Sequence, residues 1–279
     1  MLKEKVDTAI AFLRKAEKLA LKMQPEHGFW LSFSGGKDSC VILKLAEMAG
    51  VKFTAYYNVT TIDPPEVVRF IIEQHPEVVR IHPELNFFAL IKKKQFLPTR
   101  DRRYCCEVLK EKSAAGYCQI LGIRKYESIR REKKWTSNVM QFKSAHQANA
   151  KDIDEMNDLQ FQCVGGKDTI KINPILTWTD NDVWSFIKEY NVPYCKLYDQ
   201  GRTRIGCLFC PYARKKERKK DIINYPKYYQ LLKKSVASIF NSKKNNYFDN
   251  AQDMLDWWFS DLSISEWKAM NYQQLKLQL

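Results

Sequence analysis

No run of apolar residues in this chain approaches the ~18 needed to cross a bilayer, so nothing in it reads as a membrane-spanning helix. The first residues also lack the continuous apolar stretch of a secretory leader. MLKEKVDTAIAFLRKAEKLALKM instead spaces Val6, Ile10, Leu13 and Leu21 among charged residues, which predicts an amphipathic helix over 1–28 and a protein that stays in the cytoplasm. There is no internal repeat and no low-complexity tract beyond one lysine-rich run. A disulfide framework is not needed either, because 279 residues with 45% hydrophobic and 13% aromatic content can bury a core unaided. In a reducing compartment the eight cysteines then point to metal binding or thiol chemistry.

What is present is positive charge, unevenly placed. Net charge is +14, which favours polyanions such as nucleotides or nucleic acid without choosing among them. Residues 211–244 hold 11 Lys and Arg against Glu217 and Asp221, whereas 245–279 turns acidic and carries Trp257, Trp258, Phe259 and Trp267. The shift marks 213–279 as a basic-then-acidic helical extension. Its run Arg214–Lys220, with tyrosines nearby, reads either as a track for a nucleic-acid backbone or as a solvated helix face. The tryptophans read either as a docking surface or as core.

Between 29 and about 123, short β-rich runs alternate with helical ones, which predicts an α/β fold around an open, mostly parallel sheet with helices on both faces. The expected strands are 29–34, 53–59, 78–82 and 118–123. The helices between them are 38–48, 64–72, 87–94 and 107–115. Further on, 161–164 and 169–175 flank Gly165-Gly166 as a hairpin, and Thr179 with Asp182 forms a capping box opening a helix to Tyr190.

Ser34-Gly35-Gly36-Lys37-Asp38-Ser39 lies between the first strand and the helix that follows it. Two glycines let the backbone approach an anion, the helix N-terminus adds its dipole, and Lys37 adds a full charge. The spacing G-x-x-x-x-G-K-[ST] of the other phosphate loop is absent here. Gly165-Gly166-Lys167-Asp168 repeats four of the six letters but has no helix after it, and reads as an ordinary turn.

Cys105-Cys106 and Cys207-x-x-Cys210 supply four thiols, the ligand count of a zinc ion or of a [4Fe-4S] cluster, while a lone C-x-x-C is equally compatible with redox work. Zinc favours two spaced pairs, so the adjacent pair leans toward iron and sulfur. Arg100, Arg102, Arg103, Lys110, Arg202, Arg204 and Arg214 surround these positions in sequence and would offset thiolate charge or hold phosphates. Cys40, Cys118 and Cys163 fall in predicted elements and read as packed interior; Cys195, in a turn-like stretch, remains a candidate thiol.

SFSGGKDS resembles the pyrophosphate loop of the N-type ATP pyrophosphatases and the related PAPS reductase family. NVTTIDPPE (58–66), Gly122-Ile123-Arg124 with Glu127-Ser128 and Arg130, Pro174–Leu176, Asp182–Trp184 and Pro193–Tyr198 resemble further motifs of that family, over about 29–212. The resemblance implies an adenine nucleotide alpha hydrolase-like fold for 29–212, with Lys37 and Asp38 in catalysis. It implies nucleotide or phosphate contacts from Ser34–Ser39, Asp63, Arg124, Glu127, Ser128 and Arg130, Asp63 contacting metal or ribose and Glu127 pairing an arginine; a solvated helix face would explain the Arg-Glu-Arg spacing nearly as well. Cluster-bearing adenosine phosphosulfate reductases and DNA phosphorothioation proteins carry the same CC plus CxxC arrangement, implying a [4Fe-4S] cluster on Cys105, Cys106, Cys207 and Cys210. Two chemistries follow. ATP with Mg2+ can adenylate an acceptor and release pyrophosphate before a sulfur donor displaces AMP; alternatively a sulfonucleotide is reduced through an enzyme thiosulfonate, with a sulfur-donor or reductant protein as partner. A binding module without catalysis is the third reading. The reductases' C-terminal Glu-Cys-Gly has no counterpart, since 211–279 contains no cysteine, and the intact Gly35-Gly36-Lys37-Asp38 suits a triphosphate.

Overall fold

A computed structural model of the chain describes residues 2–111, 113–134, 137–143, 161–165 and 169–276. They form two compact units. The first comprises 1–58, 65–81 and 112–205, and the second comprises 59–64, 82–111 and 206–279.

In the first unit, α1 (Leu2–Met23) precedes β1 (Phe29–Ser32), and then α2 (Lys37–Ala49), β2 (Phe53–Asn58), α3 (Pro65–Gln74) and β3 (Val79–Ile81) alternate. The buried stripe of α1 runs through Val6, Ala9, Leu13, Ala16 and Ala20, with small alanines doing what the sequence pattern assigned to Leu21, which is exposed. β4 (Cys118–Ile120), α6 (Ile129–Lys134), β5 (Val139–Lys143), β6 (Phe161–Gly165), β7 (Thr169–Ile172) and α7 (Asp180–Glu189) complete the unit. The sheet order is β3-β2-β1-β4-β7-β5-β6. Its first five strands are mutually parallel, as predicted, and Phe29, Trp30 and Leu31 of β1 are buried in succession, the mark of a strand covered on both faces.

Local signals account for the ends. Gly50 closes α2 in the left-handed region (φ 65°), and Thr179 and Asp182 exchange hydrogen bonds as a capping box at α7. The hairpin expectation fails. β6 pairs in parallel with β5, and β5 pairs antiparallel with β7, so β5 stands between the two strands that flank Gly165-Gly166. Alternation of apolar residues gives a strand's existence but not its neighbour. Gly166–Asp168 lie outside the described residues.

The second unit is helical: α4 (Phe87–Lys94), α5 (Tyr104–Cys106, continued by a π turn over Glu107–Glu111), α8 (Lys215–Asn224), α9 (Pro226–Ile239), α10 (Ala251–Ser260) and α11 (Ile264–Lys276). The helix expected over 107–115 therefore begins three residues earlier and includes both Cys105 and Cys106. Phe87, Leu90, Ile91, Phe96 and Leu97 share one core with Leu232, Val236, Ile239, Met254, Trp257 and Trp258. The segment after 212, expected as an extension, supplies half of the core around 82–111. The tryptophans are core: Trp258 is buried and its indole N–H donates to the Pro98 carbonyl at 2.6 Å.

Among the described residues, no helix is long and apolar enough to cross a membrane.

Candidate functional site

Strand order fixes where a ligand can sit in the first unit. From β1 the chain winds outward through β2 and β3 on one side, whereas β4 and β7 lie on the other, so a crevice opens at the carboxyl ends of β1 and β4. The loops leaving these two strands are 33–36 and 121–124, two of the segments singled out in the sequence.

The first loop is held in shape by Ser39, whose hydroxyl donates to the Gly36 carbonyl (2.7 Å) and accepts the Ser34 N–H (3.2 Å). Gly35 has φ +71°, and a Cβ there would stand 2.8 Å from Val67 Cγ1. Only glycine takes both the backbone angle and the close approach. Gly35→Ala should cost about 1–3 kcal/mol of stability from left-handed strain and the Val67 contact, and should weaken nucleotide binding as well. Denaturant unfolding and calorimetry would read both effects; unchanged values in both would mean that the loop does not need its observed shape.

Lys37 opens α2 and is buried, and its N–H donates to the hydroxyl oxygen of Tyr198 at 2.9 Å. Its ammonium lies 3.5 Å from Asp38 Oδ2 and 3.2 Å from Asp180 Oδ1. From the second loop, Arg124 is buried, with Nε 2.6 Å from Asp38 Oδ1 and Nη2 3.0 Å from Asp180 Oδ1. The two loops meet closely, since a Cβ on Gly122 would approach the Asp38 carbonyl oxygen to 2.9 Å. Partial desolvation pushes the Asp180 carboxyl up, but Lys37 and Arg124 outweigh it and hold it below the usual carboxylate range. Lys37, Asp38 and Arg124 thus share one network at the crevice. Asp180 and Tyr198 belong to it too and escaped the sequence reading as site residues; Asp180 was hidden at the start of a capped helix and Tyr198 within a turn.

Glu127 stands 3.9 Å from Arg124 Nε and contacts Arg131, which the sequence does not single out. Ser128 accepts the Arg131 N–H at 3.3 Å and so caps α6. The backbone of Arg130 lies in that helix. Asp63 falls elsewhere. It belongs to the second unit, accepts the Thr60 N–H at 3.0 Å, and lies 3.8 Å from Cys207 Sγ.

All four cysteines of the CC and CxxC pairs are in the second unit and line one pocket with Ile62, Phe87, Leu109, Leu208 and Trp258. Neighbouring positions on an α-helix diverge by about 100°, yet Cys105 and Cys106 both reach this pocket; the π turn that follows them is a local distortion of the kind found at functional sites. On the other side, the CxxC turn is pinned through its middle. Leu208 N–H donates to the Ile62 carbonyl (2.8 Å), Phe209 N–H donates to Asp221 Oδ2 (3.0 Å), and Phe209 is left-handed at φ 57°. A hydrogen bond from Cys105 pulls the Cys106 thiol down, with Arg103 and Lys110 adding to it against burial. Burial pushes Cys207 up to about 11, against the pull of Lys110. Among the described residues no three His, Cys, Asp or Glu side chains gather as around a single ion.

Other cysteines behave as predicted where they are described: Cys40 and Cys118 are interior. Cys195 is 1% exposed and its thiol is raised by burial. Of the basic run, Arg214, Lys215, Lys216 and Lys219 are exposed. Arg218 is not. It is fully buried, pairs with Asp261 and the Trp258 carbonyl, and its guanidinium lies over the rings of Trp258 (5.2 Å) and Phe259 (4.9 Å).

Five parallel strands with a Gly-Gly-Lys loop at the point where the strand order reverses define an α/β protein of the doubly wound kind. Residues 28–213 match the phosphoadenosine phosphosulfate reductase domain, and the chain belongs to that family. An uncharacterized protein of Methanocaldococcus jannaschii is 29% identical over 214 residues, which are 72% of this chain and 39% of that protein. An adenosine 5'-phosphosulfate reductase of Allochromatium vinosum is 32% identical over 117 residues, 40% of this chain and 36% of that protein. The chain therefore spans about two fifths of the length of these curated relatives. Among solved structures it is similar to the phosphoadenylyl-sulfate reductase of Candida auris (17% identity, 70% of this chain and 87% of that one, TM-score 0.46). It is also similar to a tRNA thiolase of Methanococcus maripaludis solved with its [4Fe-4S] cluster (14% identity, 85% and 82%, TM-score 0.41).

Proposed function

We propose that the chain binds ATP with Mg2+ through Ser34–Ser39 and adenylates an acceptor, releasing pyrophosphate, as the activating step of a sulfur transfer. The observation that carries this reading is that buried Lys37 and Arg124 meet at Asp38 and Asp180, directly after the Gly35-Gly36 turn at the sheet's switch point. Backbone N–H groups and two cations there can hold the β and γ phosphates and take up the charge that develops on departing pyrophosphate. In the step itself an acceptor oxygen attacks the α phosphorus and forms a P–O bond while the bond to pyrophosphate breaks; a sulfur nucleophile then displaces AMP. Asp38 orients Arg124 through its 2.6 Å contact.

The cysteine pocket fits a [4Fe-4S] cluster by its donor set: four thiols in one largely apolar pocket, one of them drawn toward thiolate, with Arg103 and Lys110 as countercharge. Cys105, Cys106, Cys207 and Cys210 would hold it, and a bound cluster would supply an iron site for sulfur or for an electron. Exposed Arg214, Lys215, Lys216 and Lys219 offer a polyanionic acceptor, such as nucleic acid, a surface to bind.

Relatives named adenosine 5'-phosphosulfate reductase favour the second reading, reduction of a sulfonucleotide. It needs an accessible thiol, and buried Cys195 does not offer one, so the reductant would come from a partner. Anaerobically purified protein tested for pyrophosphate release from ATP with candidate acceptors, and for sulfite release from a sulfonucleotide with a thiol reductant, separates the two. Pyrophosphate without sulfite is the expected result.

A further inference from the structure

The hydroxyl of Tyr198 sits in the mouth of the phosphate loop. It accepts the N–H of Lys37, the first residue of α2, at 2.9 Å, and a Cβ on Gly36 would stand 3.5 Å from it. The Lys37 ammonium lies 5.6 Å from the centre of its ring. Nothing about this placement is loose. Tyr198 N–H donates to the Cys195 carbonyl (3.1 Å), Gly201 N–H donates back to the Tyr198 carbonyl (3.0 Å), and the ring packs edge-on against Trp184 at 5.2 Å. Burial raises the phenol, so it keeps its proton throughout the ordinary pH range.

A helix's first N–H groups ordinarily face an incoming anion directly. Here the first of them is already taken by a hydroxyl, and that hydroxyl has one proton left to give. A hydroxyl polarised by an N–H donor is itself a stronger donor, so the helix end is relayed outward by one atom. We infer that Tyr198 is a phosphate ligand, donating its O–H to the anion held by Ser34–Ser39 and so extending the loop's donor set beyond the backbone. This rests on the phosphate-binding reading of that loop. The rival is that the hydroxyl is a plug that an anion must expel, and the two differ in sign.

Tyr198→Phe keeps the ring and the Trp184 contact and removes the hydroxyl, both its O–H and the acceptor of the Lys37 N–H. Titration of the full chain with inorganic pyrophosphate by calorimetry should show about tenfold weaker binding in the variant, with the same melting temperature in the absence of ligand. Equal or tighter binding overturns the assignment. If the wild type binds neither pyrophosphate nor ATP, the loop reading itself falls and this inference with it; wild-type binding with an indifferent Tyr198→Phe sinks the inference alone. Should the variant melt early, 3-fluorotyrosine at position 198 gives a second measurement, since its fluorine resonance should shift on adding pyrophosphate and an unmoved resonance refutes the contact.

Discussion

Lys37→Ala should weaken ATP and pyrophosphate binding by about 100-fold or more and abolish pyrophosphate release. The magnitude follows from two effects of the same sign. A charge-assisted hydrogen bond to phosphate is worth about 1.5–3 kcal/mol, or roughly 10- to 100-fold. Its loss also leaves Asp38 and Asp180, which Lys37 partly neutralises at 3.5 and 3.2 Å, with Arg124 as their remaining partner at the mouth of an anion site. Because the ammonium is buried, solvent does little to soften the first effect, while exposed Asp180 is screened more than Asp38. Calorimetric titration with ATP measures the loss; affinity within threefold of wild type would remove Lys37 from the site.

Cys207→Ser should strip the anaerobically purified protein of most of its iron and acid-labile sulfide, together with the visible charge-transfer absorbance. Serine keeps the volume but replaces a soft thiolate by a hard oxygen. The loss should be local, since Leu208 and Phe209 still tie the turn to Ile62 and Asp221 through the backbone. Metal analysis with the spectrum decides: full iron content in the variant refutes the ligand set, and a wild type carrying zinc without sulfide replaces the cluster by a single ion. Cys195→Ala serves as control and should keep its iron, because that cysteine belongs to the other unit.

Short-range signals were the legible part of this fold. The capping box at Thr179, the glycine stop at Gly50 and the helix over Phe87–Lys94 depend on residues within a turn of one another, and each formed where the pattern put it. The strand, turn and helix around Ser34–Ser39 were legible for the same reason, being contiguous in sequence. Partners brought from afar were not. Nothing near Asp180 announces that its carboxylate will meet Lys37, 143 residues earlier, and Arg218 reads as one more surface charge until Asp261, Trp258 and Phe259 close around it. The hairpin around Gly165-Gly166 failed on the same ground: pairing is decided by which strand arrives between two others.

The second unit is assembled from three separated stretches of chain, and the family match stops at residue 213. A fragment trimmed to that match would keep Phe87, Leu90, Ile91, Phe96 and Leu97 while discarding the helices that cover them. Such a piece would present a greasy face to water and clump, however complete it looked by homology. Anyone preparing this protein for study should therefore express it with its tail attached.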